Sequence, residues 1–395
     1  MTAHPLPVVL FGAFDRHNFG DMLFAHVAGR MLAGRDVHVA GLAERDLRAY
    51  GGHRVQALGQ LPKPAAGLLH VGGEILTCDT WEAAVMLQSN VDAQRIIASQ
   101  QHDRYGWAQH TLGTRELAPY VLSKDRWPHA TRVLFNAVGG VNLNERDSAM
   151  RDEVLAKLAH ADAISVRDLH TQALLAQSGI EASLAPDCAV MVAELFGDTI
   201  RKHATQQAVA RIRDAAPDGY LAVQFSADFG DDATLAKIAA QLDKAAHAHR
   251  LAIVFFRAGA APWHDDLACF ARTASMMRAP SVHLFDSLNI WDICALLAHS
   301  CGYIGSSLHG RIVAMAYALP RVNLLHDDDF VRPCKQIAFA QAWEDTNTPV
   351  AVRVREIAAG IDAALSVERA ALEQTAARLV AQCRAAFQTT VSALD

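Results

Sequence analysis

Tyr303-Ile304-Gly305-Ser306-Ser307-Leu308-His309-Gly310-Arg311-Ile312-Val313-Ala314-Met315-Ala316 reads as strand, turn and helix in direct succession. Tyr303 and Ile304 make a short buried strand. Gly305-Ser306-Ser307 is a tight turn, and Ile312, Val313, Met315 and Ala316 carry an apolar helix. A strand that passes through a small-residue turn into a helix is the repeating unit of a parallel α/β sheet. The same turn sets a histidine, two hydroxyls and an arginine at a helix N-terminus. Free N–H groups and the positive dipole end favour an anion there, a phosphate above all. A histidine at that spot can move a proton near neutral pH. The stretch predicts chemistry on a phosphorylated compound.

Working outward, the unit recurs. Val8-Val9-Leu10-Phe11 is a short apolar run ended by Gly12, as in a buried parallel strand. A loop with Asn18 and Gly20 leads into a helix over about 21–32. Further strands are read at 37–40, 67–71, 133–138 and 163–166. A second series starts near Gly219: strands at 220–225, 251–256, 282–285 and 322–325, with helices at 234–249 and 290–298. The expected fold is α/β, with two doubly wound, Rossmann-like domains whose strand carboxyl ends meet at one cleft. The expected division is 1–195, then 196–345, then a helical extension over 346–395. A helix over 198–214 is the expected connector. The irregular stretch at about 75–130 holds Trp81, Tyr105, Trp107, Tyr120 and Trp127. These rings either stack on a sugar or fill a local core. The last helix, about 367–391, has one apolar stripe through Leu372, Leu379, Cys383 and Phe387.

Composition narrows the function. The chain has 395 residues, 51% of them hydrophobic and 20% charged, which suits a globular protein of two domains. A net charge of −6 gives no general attraction to nucleic acid, so any anion site must be local. Met1-Thr2-Ala3-His4-Pro5 does not open a secretory leader, and no apolar run approaches a membrane span. The seven cysteines are scattered without a CxxC pair, as expected for thiols in a reducing cytosol. No metal-ligand spacing stands out among the 19 histidines, and no GxGxxG supports a nicotinamide cofactor. No metal or cofactor is expected.

The Ser-Ser-Leu-His-Gly turn, the helix behind it and Leu319-Pro320 resemble the polysaccharide pyruvyltransferase family. Its other motifs follow in order: Asn18-Phe19-Gly20-Asp21, Val71-Gly72-Gly73-Glu74, Ile164-Ser165-Val166-Arg167-Asp168 and Ala185-Pro186-Asp187-Cys188. The resemblance implies a GT-B type fold and a cytoplasmic transferase. It implies transfer of pyruvate from phosphoenolpyruvate to a sugar hydroxyl pair as a cyclic ketal, in the biosynthesis of a surface polysaccharide or exopolysaccharide. The acceptor would be a sugar or a lipid-linked oligosaccharide, with at most peripheral membrane contact; a homo-oligomer stays open. The alternatives are a GT-B glycosyltransferase using a nucleotide sugar and a non-catalytic glycan-binding member.

Ketal formation from an enol phosphate needs protons moved at the enol carbon and at the attacking hydroxyls, and the resemblance gives His309 that catalytic role. The bland alternative is a capping histidine. Many relatives carry arginine where this chain has Ser307, and serine cannot clamp an anion bidentately. Arg311, one turn on, either compensates or lies on the helix surface. Arg167 either holds the donor anion or pairs with Asp168 at a helix start. Arg257, at the end of a strand, is a further anion ligand. With Ser306, Ser307, Leu308 and Gly310 these form the expected donor site. Asn18, Gly20, Asp21, Gly72, Gly73 and Glu74 form the expected acceptor site. Asp187 reads as structural.

Overall fold

Val8–Phe11 (β1) is fully buried, and both its neighbours in the sheet run parallel to it. The computed structural model describes residues 6–100 and 102–395; the reading of Met1–Pro5 lies outside them. Contacts divide the chain into two units, one up to Cys188 together with Ala381–Asp395, the other Ala189–Val380. The stretch 346–395 is thus shared between them.

Among the described residues, the first unit holds an eight-stranded sheet. Its strands are β1, β2 (Val37–Gly41), β3 (Arg45–Asp46), β4 (Arg54–Ala57), β5 (Ala65–Val71), β6 (Ala130–Val138), β7 (Ala163–Val166) and β8 (Ser183–Leu184). The order is β3-β4-β2-β1-β5-β6-β7-β8, parallel except for β3 against β4. The chain steps outward from β1 to β2 and β4, then returns to lay β5 on the other side of β1. A right-handed crossover on each side puts the connecting helices on opposite faces, so β1 and β5 flank a topological switch point.

The second unit has a six-stranded sheet: β9 (Tyr220–Gln224), β10 (Ala252–Phe256), β11 (Val282–Phe285), β12 (Gly302–Gly305), β13 (Arg321–Leu324) and β14 (Ala351–Val352). All its pairs are parallel, in the order β11-β10-β9-β12-β13-β14. The reversal falls between β9 and β12, the strand that feeds the Ser306-Ser307 turn. Two parallel sheets in α/β units are the expected fold class.

Each unit has its own apolar core. Phe11, Leu68, Phe135 and Val166 anchor the first. Val223, Phe225, Phe255 and Ile304 anchor the second. Long, evenly apolar strands were legible; the two-residue β3, β8 and β14 were not, because two residues carry no period. Two differences stand out, and one open alternative is decided. The irregular stretch is helical at Thr80–Met86, Asn90–Ser99 and Arg104–Leu112. Its rings turn inward: Trp81 and Trp107 pack edge to face around a small core with Val85 and Ala108, and Tyr120 and Trp127 join the main core. Tyr105 alone of the five is exposed, at 42%. Finally, the connector is two helices, Val192–Ala204 and Gln207–Ala215.

Candidate functional site

In the second unit the turn after β12 is tied to the turn after β9. Gln224, the polar end of an apolar strand, does most of this. Its Oε1 accepts from the Ser307 N–H at 2.8 Å and from the Tyr303 hydroxyl at 3.2 Å, and its backbone O accepts from the Ser306 N–H. Its Nε2 donates to Asp265 Oδ1 at 2.7 Å, while Asp265 Oδ2 accepts from the Ala258 N–H at 2.5 Å. Burial pushes the Asp265 carboxyl up to about 7, against the hydrogen bonds from Ala258 and Gln224 that lower it. Ser306 Oγ accepts from the Ser226 N–H, and Ser307 Oγ caps the helix Leu308–Ala316 by accepting from the Gly310 N–H.

His309 lies in the first turn of that helix and is buried, with 8% exposure. The expected anion cradle is narrower than the sequence implied. The N–H groups of Ser306 and Ser307 go to Gln224, and those of Gly310 and Arg311 go to Ser307. Leu308 and Gly310 are buried beside them.

Arg311 is the clearest correction. It is fully buried, neither on the helix surface nor open to an anion. Its Nε bonds Glu344 at 2.6 Å, and its Nη atoms donate to Asn323 Oδ1 and to the Val350 and Pro349 carbonyls. Arg321 grips the same Glu344 from the other side. Arg257, by contrast, retains donors. It sits at the carboxyl end of β10, its Nη2 reaches the Asp286 carbonyl only at 3.4 Å, and its buried Nε has no hydrogen-bond partner among the described residues.

In the first unit, Asn18 caps the helix Phe19–Met31 by accepting from the Gly20 and Asp21 N–H groups. Gly72 and Gly73, at the end of β5, have φ of 57° and 75°. A Cβ on Gly73 would come within 3.5 Å of Asp21 Oδ1, so the two motifs meet at the switch point. Arg167 is also accounted for differently than expected. Its guanidinium lies between two carboxylates, Nη2 to Glu74 Oε2 at 2.5 Å and Nη1 to Asp187 Oδ2 at 2.8 Å. It does not pair with Asp168, which caps the helix Leu169–Gln177 through the Thr171 N–H. Glu74 therefore faces Arg167, and its other oxygen accepts from the Val141 N–H. Gly139 makes room: a Cβ there would come within 2.8 Å of Arg167 Nε.

Sequence reasoning missed Asp15 and Arg16 in the first unit, and Gln224, Asp265 and His326 in the second. Polar residues at the carboxyl ends of apolar strands were the signal for Gln224 and for the Asp15-Arg16 pair. His326, just past β13, stacks on Phe229 with ring centroids 3.7 Å apart, and nothing local announces it. Among the described residues no group of three or more His, Cys, Asp or Glu is placed to hold a metal, and no helix is long and apolar enough to cross a membrane.

Known structures share this fold. A UDP-GlcNAc 2-epimerase from Neisseria meningitidis bound to UDP-GlcNAc is similar with a TM-score of 0.54 and 12% identity, covering 98% of each chain. The Methanocaldococcus jannaschii UDP-GlcNAc 2-epimerase in complex with UDP-GlcNAc and UDP gives a TM-score of 0.53 and 9% identity, over 95% of this chain and 98% of that one. At such identities the likeness speaks for the GT-B fold alone. No curated protein matches in sequence. A family model does, that of the polysaccharide pyruvyl transferases, from residue 18 to residue 328. That span takes in the Asn18 cap, Gly72-Gly73, Arg167 and the Ser306–Arg311 turn, and the chain belongs to the polysaccharide pyruvyl transferase family.

Proposed function

We propose that the protein transfers pyruvate from phosphoenolpyruvate to two hydroxyls of a sugar, forming a cyclic ketal. The observation that carries this reading is the placement of His309 in the first helical turn at the β9/β12 switch point, in a chain of this family. A transferase of this kind moves protons without any redox step. A proton goes to the donor methylene carbon, leaving a cationic centre at the adjacent carbon. The first hydroxyl attacks that carbon and loses its proton. The C–O bond to phosphate breaks, and the second hydroxyl closes the ketal. Of the two hydroxyl protons, one balances the proton placed on carbon and one leaves with phosphate.

His309 is the group proposed to move these protons. Arg257 and the Ser306 hydroxyl are proposed to hold the donor anion, since Arg311 is engaged inside the fold and Ser307 is the helix cap. Asn18, Gly20, Asp21, Gly72 and Gly73 are proposed to hold the acceptor, within surface-polysaccharide assembly in the cytoplasm. Arg167 and Glu74 are assigned to supporting that site instead of touching the ligand.

The test is release of phosphate from phosphoenolpyruvate in the presence of pooled polysaccharide fragments, with the ketal methyl signal read by NMR. His309→Gln is expected to lower turnover by roughly 10²–10⁴ while keeping the fold. Near-normal turnover in that variant would remove His309 from the chemistry. Binding of a UDP-sugar with no affinity for phosphoenolpyruvate would replace the donor.

A further inference from the structure

Arg16 is a buried cation whose donors are only loosely engaged. Its side chain is only 11% exposed, yet among the described residues none of its nitrogens makes a hydrogen bond to oxygen. Its Nη2 stands 3.6 Å from Asp21 Oδ2, its Nη1 is 4.0 Å from Cys78 Sγ, and its guanidinium carbon lies 5.4 Å over the Tyr120 ring. Its Nε has no hydrogen-bond partner among the described residues. The other deeply buried arginines contrast sharply. Arg167, Arg311 and Arg321 each donate to two or more oxygens at 2.5–3.3 Å. Burying a guanidinium with unmet donors is costly, so a fold that retains one reserves its donors for something else.

The neighbourhood holds the side chain in place through a long ion pair to Asp21 and a sulfur contact to Cys78, leaving Nε unengaged. Asp15, next in sequence, is fully committed: it accepts from the Tyr120 hydroxyl at 2.7 Å and from the Leu42 and Ala43 N–H groups. That fixes the loop after β1 against the β2 edge and sets the Tyr120 ring under Arg16. The loop lies at the β1/β5 switch point, beside Asp21 and the left-handed Gly73. The Nε–Nη2 edge, with which arginine grips carboxylates and phosphates side-on, is the edge without a hydrogen bond.

We infer that Arg16 is the ligand for an oxyanion carried by the acceptor sugar, a carboxylate or a phosphoryl group, with Asp21 beside it as acceptor for a sugar hydroxyl. This rests on the pyruvyl-transfer reading and adds that the acceptor is an acidic sugar.

The experiment titrates the full chain with D-glucuronate, D-glucose 1-phosphate and neutral D-glucose. It follows the arginine Nε–H signals by nitrogen-15 NMR, with Arg16 identified by its absence in Arg16→Lys. One or both acidic sugars are expected to shift the Arg16 signal saturably, and glucose to leave it unmoved. Which of the two binds separates a uronate from a sugar phosphate. Arg16→Lys is expected to weaken that binding by about tenfold or more, because an ammonium cannot form the paired contact. No shift with either acidic sugar would overturn the inference. So would unchanged affinity in a folded Arg16→Lys chain, or a shift produced by phosphoenolpyruvate alone, which would make Arg16 a donor ligand. Phosphate release is measured separately on the same samples, so failure of the reaction and failure of the acidic-sugar site are read apart.

Discussion

Single residues decide which arginines serve the fold and which remain open to a ligand. Arg311 and Arg321 enclose Glu344, whose side chain is 1% exposed. Burial pushes that carboxyl up, but the two guanidinium groups together hold it below the usual range. Removing one partner leaves a buried charge uncompensated, so Arg311→Met is expected to cost about 3–5 kcal/mol of stability, read by urea unfolding. A stable Arg311→Met chain that has lost phosphoenolpyruvate binding would return Arg311 to the donor site. Asp265 gives a pH signature of opposite sign to an ordinary ion-paired carboxylate. Its folded value of about 7 lies above the ordinary carboxylate value of 3.8, so between these pH values the native state binds more protons than the unfolded chain. Its contribution is most favourable near pH 4 and is lost as pH rises through 7. Asp265→Asn should therefore flatten the fall in stability between pH 4 and 7 relative to the unmodified chain. An unchanged slope would show that other groups carry it.

At the scale of elements, the helix Leu308–Ala316 shows how a short motif is enforced by its surroundings. The glycine of Leu308-His309-Gly310 is required by packing: a Cβ at Gly310 would come within 2.5–2.6 Å of the Tyr303 ring and hydroxyl. Gly310→Ala is expected to cost about 1–3 kcal/mol, the usual range for overpacking. The cost should shrink when Tyr303→Ala is made as well, and additive effects in that cycle would discount the clash. The Ser307 cap is a separate contribution. Ser307→Ala should cost about 1 kcal/mol, whereas Ser307→Asp should keep the cap; equal stability of the two would mean that the Gly310 N–H does not depend on it. The strand–turn–helix pattern was legible because apolar period and small turn residues are local. The Gln224–Asp265 tether behind it was not, because its partners lie 41 and 83 positions apart in sequence.

At the scale of the whole chain, the last segment rejoins the first unit. Ala381–Asp395 belongs with the residues up to Cys188. Thr390 Oγ1 accepts from Asn136 Nδ2 at 3.1 Å, and Arg35 pairs with Asp395. Leu394, 5% exposed, occupies the space a side chain at Gly67 would fill. Deleting 381–395 is expected to lower the melting temperature and expose apolar surface to a dye, because the β5–β6 face loses its cover. An unchanged melting curve would make the segment dispensable to the first unit.

The sequence by itself determined the two parallel α/β units, the order of the motifs and the family, because apolar strand runs, small turn residues and helix caps act over a few neighbours. It also pointed to the histidine in the turn. Only the tertiary structure decided what each charged residue faces. Arg167 meets Glu74 and Asp187, Arg311 meets Glu344, and Arg16 meets no oxygen closer than 3.6 Å among the described residues. An arginine looks the same in a sequence whether its donors are satisfied inside the fold or held for a ligand. The difference comes from partners brought in from distant parts of the chain.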